Sequence, residues 1–498
     1  MRGVRVLDVL FFNARVYNSV GCYLGDHMLV RRGRIAEVGR LSEPPAEGSA
    51  RLVDLRGGVC VPAFWDSHIH LIETGFLVLG PDTTRARRVD DLLHLISEYA
   101  RQSNSELVKI VGFDPTLLQD ALPTLQQLDE ACAQRPLLLS HVEWHACWLN
   151  SRAKQICGMA NDDSLLVGVQ NTLARQRLSV LVSEQDRRRA LRAASELLLS
   201  RGIGAVHAFE GGALFADEDY DVLVSARDDL KLRVYAYHQV LNADGSRAID
   251  AKRVGGCVPL DGSSGVYTAA VSEPYLGNTG TGVLYYTDKQ VQEFVARAVE
   301  LGLQTSLHAC GDRAIAQVIR AHRKHPGQHL RHRIEHVEIP KQAQLPDLAE
   351  LGLVACVQPV FDHLWGGDDG DYAMTLGAER ARLANPLATL VRLGIPTVLG
   401  SDSPVTPADP MLVLYAALNH TRIAERLRFW DAFQLISSNA AWVVSEEDEL
   451  GDIRPGKQAD FVVFGPRFLE AKPEQMLREK PLMTVVAGDI VYVHSCQD

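Results

Sequence analysis

The middle of the chain repeats one pattern, in which a helix is followed by a glycine, an apolar strand and a polar strand end. The segments SRGIGAVHAFE, ELGLQTSLHACGD, ELGLVACVQP and RLGIPTVLGSD begin at residues 200, 300, 350 and 392. In each segment the glycine ends a helix in the left-handed conformation, and a short strand follows. Such units are typical of parallel α/β proteins, and their repetition predicts a (β/α)8 barrel of the TIM type.

The two ends of the chain have a different pattern, that of short strands joined by turns. LVRRGRIAEVG predicts two strands around a turn at Arg32 and Gly33, and ADFVVFG and LMTVVAGDIVYVH predict more strands near the C-terminus. We therefore expect a small β-sandwich domain built from residues 1–58 and 446–498, with the barrel in residues 59–445. A helix-rich stretch predicts an insertion over the barrel mouth, roughly within residues 75–200.

Composition and charge narrow the class of partner. Of the 498 residues, 46% are hydrophobic and 23% are charged, as in soluble globular proteins. The net charge of −11 argues against a nucleic-acid partner, because binding nucleic acid needs a concentrated basic face. The sequence also has no polybasic patch of the kind that binds a membrane surface. We expect no signal peptide and no membrane span. Nine cysteines without a CxxC pair suit reduced thiols in the cytoplasm. The expected partners are a small-molecule substrate and, as a common default, a second copy of the chain in a dimer.

The first candidate metal ligands are His68 and His70, which end an apolar strand in VPAFWDSHIH. Residues i and i+2 of a strand face the same way, so both imidazoles can bind one cation. The alternative is chance, because the chain has 17 histidines. The pair alone leaves both interpretations open.

Three more candidate ligands follow at the ends of later strands. His308 ends TSLH, His336 lies in RIEHVEI, and Asp402 follows PTVLGS. Each has an ordinary explanation by itself, since a lone histidine is often only hydrogen-bonded and an aspartate there can cap a helix. Together with the histidine pair they predict a convergent metal site at the strand ends of the barrel. Imidazole and carboxylate ligands suit zinc, and also iron, cobalt or manganese.

Separated motifs along nearly the whole chain resemble those of the amidohydrolase superfamily, and specifically its YtcJ-like branch, amidohydrolase family 3. The resemblance extends to N-substituted formamide deformylase-type enzymes. The motifs occur in the family's order, and they are VRRGRIAEVG, VPAFWDSHIHL, RPLLLSHVEWHACWLNSRA, DGSSGVYTAAVSEPY, HACGDRAI, RIEHVE, GSDSPV and GDIRPGKQADFVVF.

The resemblance implies a hydrolase that cleaves C–N bonds in amides, formamides and related groups. It implies that His68, His70, His308 and His336 are metal ligands, with Asp402 as ligand or general base. Asp402 would take a proton from water and later pass it to the leaving amine. The cation would polarise the carbonyl and lower the pKa of water toward about 7.

One position departs from the two-metal members of the family. Those members carry a carboxylated lysine on the fourth strand, four residues before the DGS motif, where this chain has Cys257. Lys252 lies several residues too early. Cys257 could bind or bridge metal as a thiolate, or it could be a small buried residue, which is the commoner state of a free cysteine. We therefore expect one divalent cation, zinc first, with a Cys257-bridged pair as the second choice.

Substrate contacts are predicted at three positions. His145, in EWHACWLNS, matches a family position that faces the active site. Asp312 and Arg313 begin the helix after His308, where Arg313 could contact an anionic substrate group or simply pair with Asp312. Aromatic residues that could wall an apolar pocket, or pack in the core instead, are Trp65, Phe76 and Trp144.

Two alternative functions stay open. A deaminase of the same superfamily would use similar ligands and release ammonia, whereas amide hydrolysis releases an amine and a carboxylate. A non-catalytic scaffold would explain the missing lysine, but a scaffold has no reason to keep five costly polar groups at a barrel mouth. The sequence predicts no particular substrate, because loops shape the pocket and vary freely.

Overall fold

The computed structural model describes residues 8–41, 50–144, 146–159, 163–212, 216–248, 252–277 and 279–494. Its strands fall into three sheets, one for the barrel, one from the two ends of the chain and one between them. The strands are β1 Asp8–Tyr17, β2 Tyr23–Arg31, β3 Arg34–Gly39, β4 Ala50–Pro62, β5 Phe64–Ile69, β6 Val108–Phe113, β7 Leu137–His141, β8 Ala146–Leu149, β9 Leu165–Val167, β10 Ile203–Glu210, β11 Arg233–His238, β12 Arg253–Val254, β13 Gln304–Gly311, β14 Arg333–Ile339, β15 Val354–Val357, β16 Thr397–Leu399, β17 Phe461–Phe464, β18 Met483–Val486 and β19 Asp489–Val493.

Helices follow most barrel strands, and others lie among the strands β6–β9 or between β17 and β18. The helices are α1 Leu71–Leu79, α2 Val89–Gln102, α3 Leu125–Ala131, α4 Ser151–Ile156, α5 Val169–Leu178, α6 Glu184–Ser200, α7 Asp217–Ala226, α8 Ala243–Ala248, α9 Asp288–Glu300, α10 Asp312–Lys324, α11 Leu345–Glu350, α12 Pro359–Trp365, α13 Asp371–Leu376, α14 Ala378–Ala381, α15 Leu387–Arg392, α16 Pro410–Leu418, α17 Phe429–Leu435, α18 Ser438–Val443 and α19 Pro473–Met476. None of the described helices is long and apolar enough to cross a membrane.

The barrel consists of eight parallel strands in the order β5, β10, β11, β12, β13, β14, β15 and β16. The first and last strands meet just beyond β16. There the Asp402 amide donates to the His68 carbonyl at 2.8 Å, and the His70 amide donates to the Ser403 carbonyl at 2.9 Å. These bonds close the sheet on itself, so the predicted (β/α)8 barrel is confirmed.

The barrel forms because its strands and helices bury apolar faces against each other. Every residue of β10 and of β14 is buried, as expected for parallel strands covered on both sides. In α6, Ser183 caps the N-terminus by accepting the Asp186 amide. The buried Ala190, Leu191, Ala194 and Leu198 recur every three or four residues on the face toward the barrel.

The second sheet joins the two ends of the chain in the order β19, β18, β17, β4, β1, β2 and β3. It has a core of its own, in which Phe11 packs edge-on against Phe461 at 4.9 Å between ring centroids. The predicted turn at Arg32 and Gly33 joins β2 to β3, and both residues have a left-handed backbone. The prediction of a small β domain made from both termini is confirmed.

A third sheet interrupts the barrel between β5 and β10. Its order is β6, β7, β8 and β9, and it packs with α2 and α3 around a separate apolar cluster that includes Phe113 and Trp148. The loop between β7 and β8 carries Glu143 and Trp144, which line the pocket described below. This insertion therefore helps to shape the mouth of the barrel.

Candidate metal centre

The predicted ligands gather at the carboxyl ends of five barrel strands, where barrel enzymes place their active sites. Strand β5 supplies two of them, and the segments that follow β12 and β16 supply one each. Strands β13 and β14 supply the remaining two. The six residues are His68, His70, Cys257, His308, His336 and Asp402.

One nitrogen of each histidine points to the middle of this group. Nε2 of His68 and Nε2 of His70 lie 3.2 Å and 3.3 Å from Asp402 Oδ1. Across the centre, Cys257 Sγ lies 3.4 Å from His336 Nε2 and 3.7 Å from His308 Nδ1. The ligand atoms of His68, His70 and Asp402 lie within 4.8 Å of one another, and so do those of His68, Cys257 and His336.

The other nitrogen of each histidine lies at hydrogen-bond distance from an acceptor outside the group. Carboxylate and carbonyl oxygens only accept, so each outer nitrogen carries a proton, and the inner nitrogen is the one that can offer a lone pair to a cation. The four pairs are His68 Nδ1 with Glu335 Oε2 at 2.6 Å, His70 Nδ1 with Phe209 O at 3.0 Å, His308 Nε2 with Gly262 O at 3.2 Å, and His336 Nδ1 with Gln358 Oε1 at 2.9 Å.

The inner atoms fit a bound cation. His68 Nε2 is buried and has no hydrogen-bond partner among the described residues. Burial opposes ionisation of the two acidic groups, but His68 and His336 hold the pKa of the Cys257 thiol well below its usual range. His68 and His70 lower the pKa of the Asp402 carboxyl in the same way. Burial lowers the pKa of His68 and of His70, but Asp402 and Cys257 outweigh it, raising the pKa of His68 well above its ordinary value and that of His70 to about 10. Protons on the inner nitrogens thus supply the positive charge that a divalent cation would supply in their place, and these donors suit zinc or another divalent metal.

The backbone at the centre is adapted to this close packing. A Cβ at Gly400 would lie 2.6 Å from the Cβ of His68, so only glycine lets the last barrel strand pass so near the first. His336 and Asp402 have positive φ angles of 75° and 57°, which are uncommon for side chains of this kind. Such conformations cluster at functional sites, where the surrounding structure holds them.

A buried ion pair that the sequence analysis missed lies beside the centre. The Arg333 guanidinium bonds both oxygens of Glu335, at 2.8 Å and 3.0 Å, and neither side chain is exposed. Burial opposes ionisation of Glu335, but Arg333 lowers the pKa of its carboxyl to about 2. Burial and Arg333 also hold the pKa of His207 well below its ordinary value, so that ring is neutral. The sequence signal was available, because charged residues inside an apolar strand are almost never buried unpaired.

A pocket opens over the centre and has about 840 Å³ of empty space, its open mouth included. Five of the six centre residues, all except His68, and Cys310 line it on the barrel side. Among the described lining residues there is no lysine or arginine. Burial, with Glu338 and Asp371 nearby, raises the pKa of Glu143 to about 7. The acidic and aromatic lining residues are Glu143, Glu338, Asp371, Trp144, Phe361 and Trp365.

The three residues that were predicted to contact the substrate are not among the described residues that line the pocket. His145 lies outside the described residues. Asp312 and Arg313 begin α10 but are not among the residues that line the pocket. Asp312 accepts a hydrogen bond from the Ser272 amide at 2.8 Å, and Arg313 donates to the Thr281 hydroxyl at 3.1 Å. Of the three aromatic candidates, Trp144 lines the pocket, whereas Trp65 and Phe76 are buried in the core.

The closed barrel and the histidines gathered at its carboxyl end are the arrangement expected of a metal-dependent hydrolase of the barrel type. Residues 51–492 match the family model described as the amidohydrolase family, and the chain belongs to this family. The resemblance predicted from the motifs is therefore confirmed.

Relatives along the full length agree with this assignment. The putative amidohydrolase YtcJ of Bacillus subtilis (strain 168) is 26% identical, over 92% of this chain and 93% of the relative. The N-substituted formamide deformylase of Arthrobacter pascens is 23% identical, over 99% of each chain. The crystal structure of an uncharacterized metal-dependent hydrolase from Pyrococcus furiosus superposes with a TM-score of 0.77 at 25% identity, covering 94% of this chain and 99% of the other.

Proposed function

We propose that the protein is a metal-dependent amidohydrolase that uses water to cleave the C–N bond of an amide or a formamide-like group. The observation that carries this proposal is the arrangement of four histidines, whose outer nitrogens all meet acceptors while their inner nitrogens converge on Asp402 and Cys257. The name of the Arthrobacter relative, a deformylase of N-substituted formamides, supports the bond type.

The proposed cofactor is a divalent metal, with zinc first because of the nitrogen, sulfur and oxygen donors. Held by these residues, it supplies Lewis acidity, which polarises a carbonyl and lowers the pKa of water toward about 7. The inner donors outnumber the four ligands of one tetrahedral zinc. We therefore propose that the site would hold two ions, with Cys257 available to both, whereas the sequence favoured one ion and kept a Cys257-bridged pair as the second choice.

Asp402 is the proposed general base and acid. Its Oδ1 lies 3.2 Å and 3.3 Å from the two histidines of β5, so the carboxylate is fixed at the centre of the group. Asp402 takes a proton from the water that attacks the carbonyl carbon, and it returns a proton to the nitrogen as the C–N bond breaks. The products are a carboxylate and an amine.

The remaining assignments are finer parts of the same proposal. The pocket takes a small-molecule substrate, with His145 as a proposed contact and Asp312 and Arg313 as weaker ones. The domain limits at residues 58 and 445, a dimer and a cytoplasmic location are also proposed. The described cysteines are all free, which supports a reducing compartment.

Product analysis tests the reaction class. The purified chain, reconstituted with zinc, is incubated with a panel of N-substituted formamides, acyclic amides and cyclic amides. We expect an amine and a carboxylate in equal amounts, and Asp402→Asn should retain metal but lose turnover. Ammonia released from amino-substituted heterocycles, without amide cleavage, would favour the deaminase alternative. No turnover of either panel by the metal-loaded chain would contradict a catalytic function for these substrates.

A further inference from the structure

The four histidines of the centre differ in the charge of their outer acceptors. Three of the acceptors are neutral, two of them backbone carbonyls and one a side-chain amide. Among the described residues, the outer nitrogen of His68 is the one that shares a direct hydrogen bond with a carboxylate, that of Glu335, and this contact is the shortest of the four at 2.6 Å. The outer nitrogen of His308 has the Asp261 carboxylate only at 3.5 Å, beyond its closer contact with the Gly262 carbonyl. The centre is therefore electrostatically asymmetric within the described residues.

Glu335 is held so that it cannot turn away from His68. Its side chain is fully buried, and Oε1 accepts from the Ser306 hydroxyl at 2.6 Å and from Arg333 Nε at 2.8 Å. Arg333 is fixed in turn, because its Nη2 also donates to the Ser67 carbonyl at 2.6 Å. Ser67 precedes His68 on β5, so the network ties the carboxylate to the strand that carries the imidazole.

We propose that Glu335 is a positioning residue that sets the tautomer of His68. As a result, the half of the metal centre formed by His68, His70 and Asp402 binds its cation more tightly than the half formed by His308 and His336. This inference rests on the proposed metal-dependent function. A carboxylate accepts only, so the proton of His68 stays on Nδ1 and Nε2 is free for the cation. The negative charge also raises the basicity of the ring, as outer carboxylates do for metal-binding histidines. A charge-assisted bond of this kind is stronger than the neutral bonds of the other three rings.

The test is the chelator concentration at which the zinc-loaded chain loses half of its metal. Glu335→Gln keeps the size of the side chain, but its amide can donate to His68 Nδ1 and move the ring proton to Nε2. We expect half-loss at a chelator concentration about 10–100-fold lower than in the wild type. Ser306→Ala removes another bond to the same carboxylate and leaves the contact with His68, so its half-loss point should stay near that of the wild type.

A second comparison separates charge from hydrogen bonding. Gln358→Ala removes the neutral acceptor of His336, and we expect a smaller shift than for Glu335→Gln. Equal shifts in the two variants, or no shift in Glu335→Gln, would overturn the inference while the wild type still binds metal. A wild type that binds no metal would overturn the proposed function as well. If Glu335→Gln does not fold, the double variant Glu335→Gln with Arg333→Gln leaves no unpaired buried charge and gives the same readout.

Discussion

The pocket has an inner end formed by barrel strands and an outer wall formed by the segments that cross the barrel mouth. The inner end comprises the six centre residues, and the outer wall comprises Glu143, Trp144, Trp365 and Asp371. At the inner end, one ring nitrogen of each histidine has a hydrogen-bond acceptor, and the other ring nitrogen faces the proposed cation. At the outer wall, Glu143 Oε2 has no hydrogen-bond partner among the described residues, and Asp371 is exposed.

This difference separates the reaction from the substrate. The inner end is held by parallel strands and by hydrogen bonds from neighbouring strands, so its geometry belongs to the barrel. The outer wall rests on the insertion and on the helices α12 and α13, which can change without disturbing the barrel. We therefore place the proposed reaction at the inner end and the choice of compound at the outer wall.

The largest expected effect comes from removing an inner ligand. His68→Ala should lose metal and reduce amide hydrolysis by about 10³-fold, because the cation supplies several kcal/mol of transition-state stabilisation. Metal content and turnover are measured on the same sample. The matched control is Trp365→Ala on the outer wall, which should keep its metal and change KM more than kcat. A His68→Ala variant with wild-type metal and turnover would contradict the division between the two regions.

The second effect concerns Cys257, the proposed ligand that both ions of the pair would share. Cys257→Ser replaces a thiolate with a hydroxyl, which binds zinc poorly. We expect the metal content to fall from about two ions per chain to about one, as measured by elemental analysis, and turnover to fall with it. An unchanged metal content in Cys257→Ser would show that Cys257 is not a ligand.

Removing the metal should lower the thermal stability of the folded chain, and only substitutions at the inner end should abolish this effect. A cation present at about 100 times its dissociation constant adds roughly 2.7 kcal/mol to the stability of the wild type. A chelator should therefore lower Tm by several degrees in the wild type and in Glu143→Gln. The same chelator should leave Tm of His68→Ala unchanged, and a drop of equal size in that variant would place the bound metal elsewhere.

The smallest effect is a pH dependence from the outer wall. The pKa of Glu143 is raised to about 7 in the folded chain, above its ordinary value in the unfolded chain. Between those two values the folded state holds a proton that the unfolded state has released, so stability falls as pH rises through this window. The loss should amount to about 2 kcal/mol by pH 8, after allowance for partial exposure.

Glu143→Gln removes the group that titrates in this window. Its free energy of unfolding, measured with denaturant between pH 5 and 8, should fall less steeply than that of the wild type. Glu196→Gln, the same change at an exposed position of α6, is a control that should leave the slope close to that of the wild type. Equal slopes in the wild type and Glu143→Gln would show that Glu143 is an ordinary surface carboxylate.

Much of the inner end was predictable because its signals are local. His68 and His70 lie two residues apart on one strand, and His308 and Asp402 follow apolar strands at their carboxyl ends. The barrel then brings strand ends together wherever they lie in the sequence. The motif order located Cys257 on the fourth strand, although the sequence could not show which side chains it contacts.

Glu335 was missed because of its position next to a ligand. Alternation along a strand predicts opposite faces for Glu335 and His336, so the pattern gives no reason to place both at one site. The left-handed backbone at His336 and Val337 departs from regular strand geometry and removes that constraint. At the outer wall the sequence indicated Trp144, but Glu143, Trp365 and Asp371 were missed, since loop positions depend on distant contacts that no local pattern records.

The most direct test of the central claim is the number of divalent ions held by the wild-type chain, purified at near-neutral pH without chelators. The proposed pair of ions predicts about two per chain, with turnover that rises in proportion to metal content when the stripped chain is reloaded with zinc. A single ion per chain at full turnover would contradict the proposed pair and agree with the single ion expected from the sequence. Turnover that persists in chain stripped of metal, with none retained on purification, would contradict the metal-dependent hydrolase.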